Sequence, residues 1–149
     1  NSCMRPVRIA CTYSFMNRHA DAIAIIDGAV AANPNYQLWR AQILARAGRM
    51  ADARALVAAF DEAAKTRYIP TYYLAWAHAA VGENDVALQL LRQGMAEGDW
   101  RLKFLPNDPS FDRLRSDPRF PATMALVLRS PASVFPSTAS AQALSDRSP

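Results

Sequence analysis

Ala41-Gln-Ile-Leu-Ala-Arg-Ala-Gly48-Arg-Met-Ala-Asp-Ala53-Arg-Ala-Leu56-Val57 is answered, 34 positions on, by Ala75-Trp-Ala-His-Ala-Ala-Val-Gly82-Glu-Asn-Asp-Val-Ala87-Leu-Gln-Leu90-Leu91. Ala41, Gly48 and Ala53 recur as Ala75, Gly82 and Ala87, and Leu56-Val57 recurs as Leu90-Leu91. A period of this length fits one helix, a turn and a second helix per unit. In the first copy the helix-favouring stretches 36–47 and 51–64 are separated by Gly48-Arg49-Met50, too short for anything but antiparallel neighbours. Gly48 is the expected left-handed residue that ends the first helix. In the second copy Pro70 suits the first turn of a helix over 71–81 and Gly82 ends it. Asn84 or Asp85 then caps a helix over 86–96. The four alanines fall where two helices of a hairpin must come close, so a large residue there costs roughly 1–3 kcal/mol.

Outward from this pair, a more degenerate unit is recovered on the N-terminal side from Ala10, Tyr13, Ala22, Ala29 and Pro34. Its step to the next unit is 31 rather than 34, and Asn17 stands where the later turns have Gly. Asn is the next most tolerant residue for a left-handed conformation. Helices are expected over 4–15 and 18–32, with Pro6 interrupting the first. On the C-terminal side the pattern changes after Gly98, and two related phrases follow, Asp108-Pro-Ser-Phe111 and Asp117-Pro-Arg-Phe120. Asp before Pro predicts helix starts, here for helices over 109–115 and 118–128. Phe111, Leu114, Phe120, Met124 and Leu128 would then cover the end of the stack. The expected organisation is a degenerate repeat over 1–34, two regular repeats over 35–98, capping helices over 99–129 and a disordered tail over 130–149. The tail reading rests on its Pro, Ser, Ala and Thr content.

The spacing resembles that of the tetratricopeptide (TPR) repeat. Tyr68-Ile-Pro-Thr-Tyr-Tyr-Leu-Ala, Val81-Gly-Glu-Asn-Asp-Val-Ala-Leu and Phe111-Asp-Arg-Leu-Arg-Ser-Asp-Pro-Arg-Phe120 are similar to the C-terminal TPR region of bacterial signalling proteins. In those proteins it follows an adenylate or guanylate cyclase, a winged-helix DNA-binding or a serine/threonine kinase domain. The resemblance covers residues 33–127 best. It implies an all-α solenoid of helical hairpins that binds a protein or peptide on the concave face lined by the first helix of each repeat. Matching the family's inward positions gives Leu38, Gln42 and Arg46 in the middle unit, and Ile69, Tyr72, Trp76 and Ala80 in the last. Trp76 either lines this groove or packs on the cap. Arg40 departs from the family pattern, at a position usually apolar; its stem can pack while its head reaches solvent. The alternative implication is a regulatory segment acting in cis on a neighbouring domain of a larger protein. Asn1 in place of an initiating Met is compatible with such a fragment.

Composition narrows the field. Of 149 residues 51% are hydrophobic, and Gly is scarce while Ala is abundant, so helix is favoured over strand. The net charge of +4 comes from arginines, Lys65 and Lys103 being the only lysines. These arginines alternate with acids and form no phosphate-tracking run, which argues against nucleic-acid binding. Cys3 and Cys11 on one helix would lie ~12 Å apart, beyond disulfide reach. The nearly uncharged run 72–82 is about half of a membrane span, and a cytoplasmic location is expected. His19 and His78 are the only histidines, with no metal-ligand spacing around them, and His78 reads as a satisfied, partly buried imidazole. No nucleophile elbow, Walker loop or dinucleotide fingerprint occurs, so no enzymatic activity, metal or cofactor is expected. An uncapped first hairpin leaves the oligomeric state open.

Overall fold

The computed structural model describes residues 4–129, so the expected tail over 130–149 lies outside the described residues. Those residues are all-α: they contain α1 (Arg5–Phe15), α2 (His19–Ala32), α3 (Gln37–Arg46), α4 (Met50–Ala64), α5 (Thr71–Ala80), α6 (Asn84–Glu97), α7 (Asp112–Arg115) and α8 (Phe120–Arg129), with 3-10 segments at Pro34–Tyr36, Trp100–Asn107 and Pro109–Phe111, and no strand. The first six helices pack in consecutive pairs across three-residue links, and α3 lies against both α1 and α5. Pro6 does not interrupt α1. It sits in the first turn, where its missing amide has no partner to lose.

All three links solve the reversal in one way. Asn17, Gly48 and Gly82 have φ of 60°, 79° and 82°. The next amide then reaches back five residues: Arg18 to the Tyr13 carbonyl at 2.8 Å, Arg49 to Leu44 at 2.9 Å, Glu83 to His78 at 3.0 Å. This pairing satisfies carbonyls that the helix end would otherwise leave orphaned. Arg18, Arg49 and Glu83 share nearly the same backbone, with φ/ψ of −85°/64°, −81°/59° and −85°/65°. Ala10, Ala22, Ala41, Ala53, Ala75 and Ala87 are all 0% exposed, so the small positions read from the repeat are the contact points between paired helices. The expected cap of α6 differs. Helix α6 starts at Asn84 without a side-chain cap. Asn84 instead donates to Asp117 at 3.2 Å, and the Asp85 carboxylate takes Arg119 at 2.5 Å.

Two apolar clusters make up the core, one around α1, α2 and Ile43, the other running from α3 to α8; Trp39 and Ile23 pack against both. Arg40 ion-pairs with Asp27 of α2 at 2.6 Å, which explains a charged residue at that position. His78 is buried and satisfied on both sides, Nδ1 facing Glu83 Oε2 at 2.5 Å and Nε2 facing Asp61 Oδ1 at 3.0 Å.

Helix α6 ends with the same device, Gly98 at φ 72° and the Asp99 amide on the Gly94 carbonyl at 2.8 Å, and after it the chain is held by side chains. Asp108 accepts the Ser110 amide at 2.9 Å through its carboxylate and the Phe111 amide at 3.2 Å through its carbonyl. Asp117 does the same with the Arg119 and Phe120 amides, both at 3.0 Å. These tight turns displace the expected helix starts: α7 begins at Asp112 and α8 at Phe120, later than Pro109 and Pro118. Phe111 and Leu114 are 0% exposed and Phe120 is buried. Leu128, expected to cover the stack, is instead exposed at its end, and Val127 takes the buried place. Hydrogen bonds from Arg119 hold the Asp117 carboxyl well below the usual range. The stability this contributes is complete above the ordinary aspartate range and is lost only as pH falls through the lower folded value.

Candidate ligand-binding cavity

A cavity of about 330 Å³ opens between α1, α3, α5 and the C-terminal segment. Helix α3 contributes Trp39 and Gln42, and α5 contributes Tyr73 and Trp76. These pairs occupy equivalent places 34 residues apart, each spaced i, i+3 and therefore on one helix face. Rings meet across the helix boundary, Trp39 lying 5.9 Å from Tyr73 and 5.6 Å from Trp76, and within α5 Tyr73 lies 6.4 Å from Trp76. Edge-to-face and tilted pairs at such distances are favourable beyond their burial. Helix α1 adds Cys11 and Phe15, spaced i, i+4. None of the lining comes from α2, α4 or α6.

The opposite wall is the C-terminal segment, with Trp100, Arg101, Phe104 and the Asp108-Pro109-Ser110 turn. Trp100 and Phe104 stand at the rim, 47% and 50% exposed, with ring centres 5.8 Å apart. Arg101 pairs with Asp99 at 3.1 Å and lies over the Tyr73 and Trp100 rings at 5.4 and 4.8 Å. Asp99 is itself fixed by α5, accepting the Tyr72 amide at 3.2 Å.

Of the residues expected in a groove, Gln42, Tyr72 and Trp76 line the cavity. Gln42 and Trp76 are almost wholly buried at its floor, and the Trp76 indole N–H has no hydrogen-bond partner. Tyr72 is committed to the C-terminal segment: its hydroxyl donates to Asp108 Oδ2 at 2.6 Å and its ring meets Phe111 at 5.5 Å. Packing on the cap, weighed for Trp76, is thus the place of Tyr72. Leu38 and Ala80 are core residues outside the lining. Arg46 lies 4.4 Å over the Phe15 ring, beside the cavity, and Ile69 sits in the α4–α5 link away from it.

The lining has one thiol, and its environment argues against reactivity. Burial, and then the Asp108 carboxylate, push the Cys11 thiol up to about 11. It stays protonated at neutral pH, the opposite of what a thiolate nucleophile requires. The Tyr72 phenol is also raised far above its usual value, by burial first and by its bond to Asp108 second. Among the described residues no group of three His, Cys, Asp or Glu side chains could hold a metal ion, and no helix is long and apolar enough to cross a membrane.

Trp39, Tyr73, Cys11 and Phe15 were not anticipated from the sequence, yet the repeat carries a signal for three of them. Trp39 and Tyr73 are one residue beyond the matched pair Leu38 and Tyr72, and Cys11 precedes Gln42 by the same 31 residues that separate Asn17 from Gly48. Trp100, Arg101 and Phe104 lie outside the repeat and have no such signal. No protein-family model, no curated protein and no solved structure matches this chain.

Proposed function

We propose that this chain is a TPR-like stack of helical hairpins that binds a protein or peptide segment in the cavity between α1, α3, α5 and the C-terminal segment. The observation that carries this reading is the origin of the lining. Three first-of-pair helices contribute to one aromatic surface and their partner helices contribute nothing, as expected when repeats present a concave binding face. Aromatic anchors beside a few placed polar groups are what peptide recognition uses for affinity and orientation. The raised Cys11 thiol removes the lining's most obvious nucleophile. A partner supplied by an adjoining domain would use the same surface as one supplied in trans.

Selection of a displayed random-peptide library on the chain tests the proposal. Enriched peptides should bind the wild type and lose at least about tenfold in affinity to Trp39→Ala, a loss typical of an aromatic anchor. Circular dichroism would verify that the variant keeps its helix content. Enrichment of nothing, or binding indifferent to Trp39→Ala, would reject the cavity as the site.

A further inference from the structure

The cavity's charges are unevenly compensated, and this bears on what kind of peptide it takes. Arg101 is neutralised by Asp99. Arg115, outside the lining, directs its guanidinium to the Leu105, Pro106 and Asp108 carbonyls and to the Asp112 carboxylate. The Asp108 carboxylate, by contrast, receives two neutral donors, the Tyr72 hydroxyl and the Ser110 amide. Among the described residues no ion pair engages it. Its charge therefore remains at one end of an aromatic chamber, partly removed from water. Its influence extends across the chamber to Cys11 on the facing helix.

The surrounding rings suit a cation. Aromatic faces attract ammonium and guanidinium groups through the ring quadrupole, most strongly for Trp. This chain already uses its own rings in that way: Arg101 lies over Tyr73 and Trp100, and Lys103 lies 4.8 Å from the Trp100 centre and 5.1 Å from that of Phe104. Trp39 and Trp76 are the ring surfaces further inside. An acidic anchor would be placed against Asp108, and an aliphatic one would desolvate the carboxylate without compensation, which is costly.

The geometry points to a basic anchor: the bound segment inserts a lysine or arginine side chain, its stem against Trp39 and Trp76 and its cation toward Asp108. This inference rests on the cavity being the peptide site.

The test starts from peptides selected on the intact chain and resynthesised in three forms: with the basic anchor, with that residue as norleucine, and, where it is lysine, as Nε-acetyl-lysine. Binding is read by tryptophan fluorescence on wild type and on Asp108→Asn, which keeps an acceptor for the Ser110 amide. The expected result is enrichment of Lys or Arg at one position and about tenfold weaker binding on loss of the charge. The penalty should be much smaller against Asp108→Asn. Peptides that depend on Trp39 yet carry no basic anchor, or an acidic one, would overturn the inference and leave the binding site standing. Peptides insensitive to Trp39→Ala, or none at all, would remove both. Should Asp108→Asn fail to fold, the norleucine and acetyl-lysine forms still decide on wild-type protein: undiminished binding overturns the basic anchor.

Discussion

The three hairpin links and the segment from Asp99 to Arg119 both turn the chain sharply, and they do so by different means. In the links the backbone is sufficient. One left-handed residue and one amide reaching back five positions recur with Asn or Gly at the bend and with Arg or Glu after it. The C-terminal segment opens with the same backbone bend at Gly98, but after it each turn adds an aspartate side chain that accepts the amide two residues on, and each aspartate also holds something at a distance. Asp99 holds the Tyr72 amide, Asp108 the Tyr72 hydroxyl and Asp117 the Asn84 amide group. Backbone-determined turns tolerate sequence drift. Turns made by side chains fix a surface, and here they fix one wall of the cavity.

Phe111→Ala should be the most damaging single change in this comparison. Its ring is fully buried between Tyr72 and the terminal helices, and truncation there is expected to cost ~3–5 kcal/mol in urea unfolding. A loss below ~1 kcal/mol would mean that the C-terminal segment is an appendage and not part of the same cooperative unit. Next, Ala75→Leu should cost roughly 1–3 kcal/mol by wedging α5 from its neighbours, measured in the same way. Gly82→Ala should cost about 1–2 kcal/mol, and through backbone strain alone, since an added Cβ there meets nothing within 4 Å. The smallest effect is expected for Asn17→Gly, a gain of about 0.5 kcal/mol or less, as a left-handed bend is relieved while the unfolded chain becomes freer. A thermal melt that showed Asn17→Gly to be destabilising would mean that the first link is not equivalent to the other two.

The sequence reveals the helices and the links because both depend on residue type at fixed spacing. Gly48, Gly82 and even Asn17 mark bends, and six buried alanines mark helix contacts. The cavity was only half legible. Gln42, Tyr72 and Trp76 follow from matching the inward positions of the TPR pattern that the chain resembles, but the register that brings Leu38 forward misses Trp39, whose position one residue on faces the cavity. A single-residue error rotates a helical position by about 100°, enough to exchange core for surface. Asp108 and Asp117 suggest helix starts, yet Asp-Pro serves a tight turn as well as a helix cap. The choice depends on what packs behind, which spacing does not encode. Trp100 and Phe104 have no periodicity at all; an exposed aromatic pair next to charged residues was the available hint.

The cavity's walls are far apart along the chain, with Cys11 and Phe15 in the first helix and Asp108 to Ser110 beyond the sixth. At ~5–20 residues per second on the ribosome, the far wall emerges roughly 5–20 s after the near one. Until then α1 and α3 present aromatic and thiol surface with nothing opposite. The two-walled cavity is therefore a property of the chain folded through Ser110, and a chain clipped before Trp100 has only one of its walls.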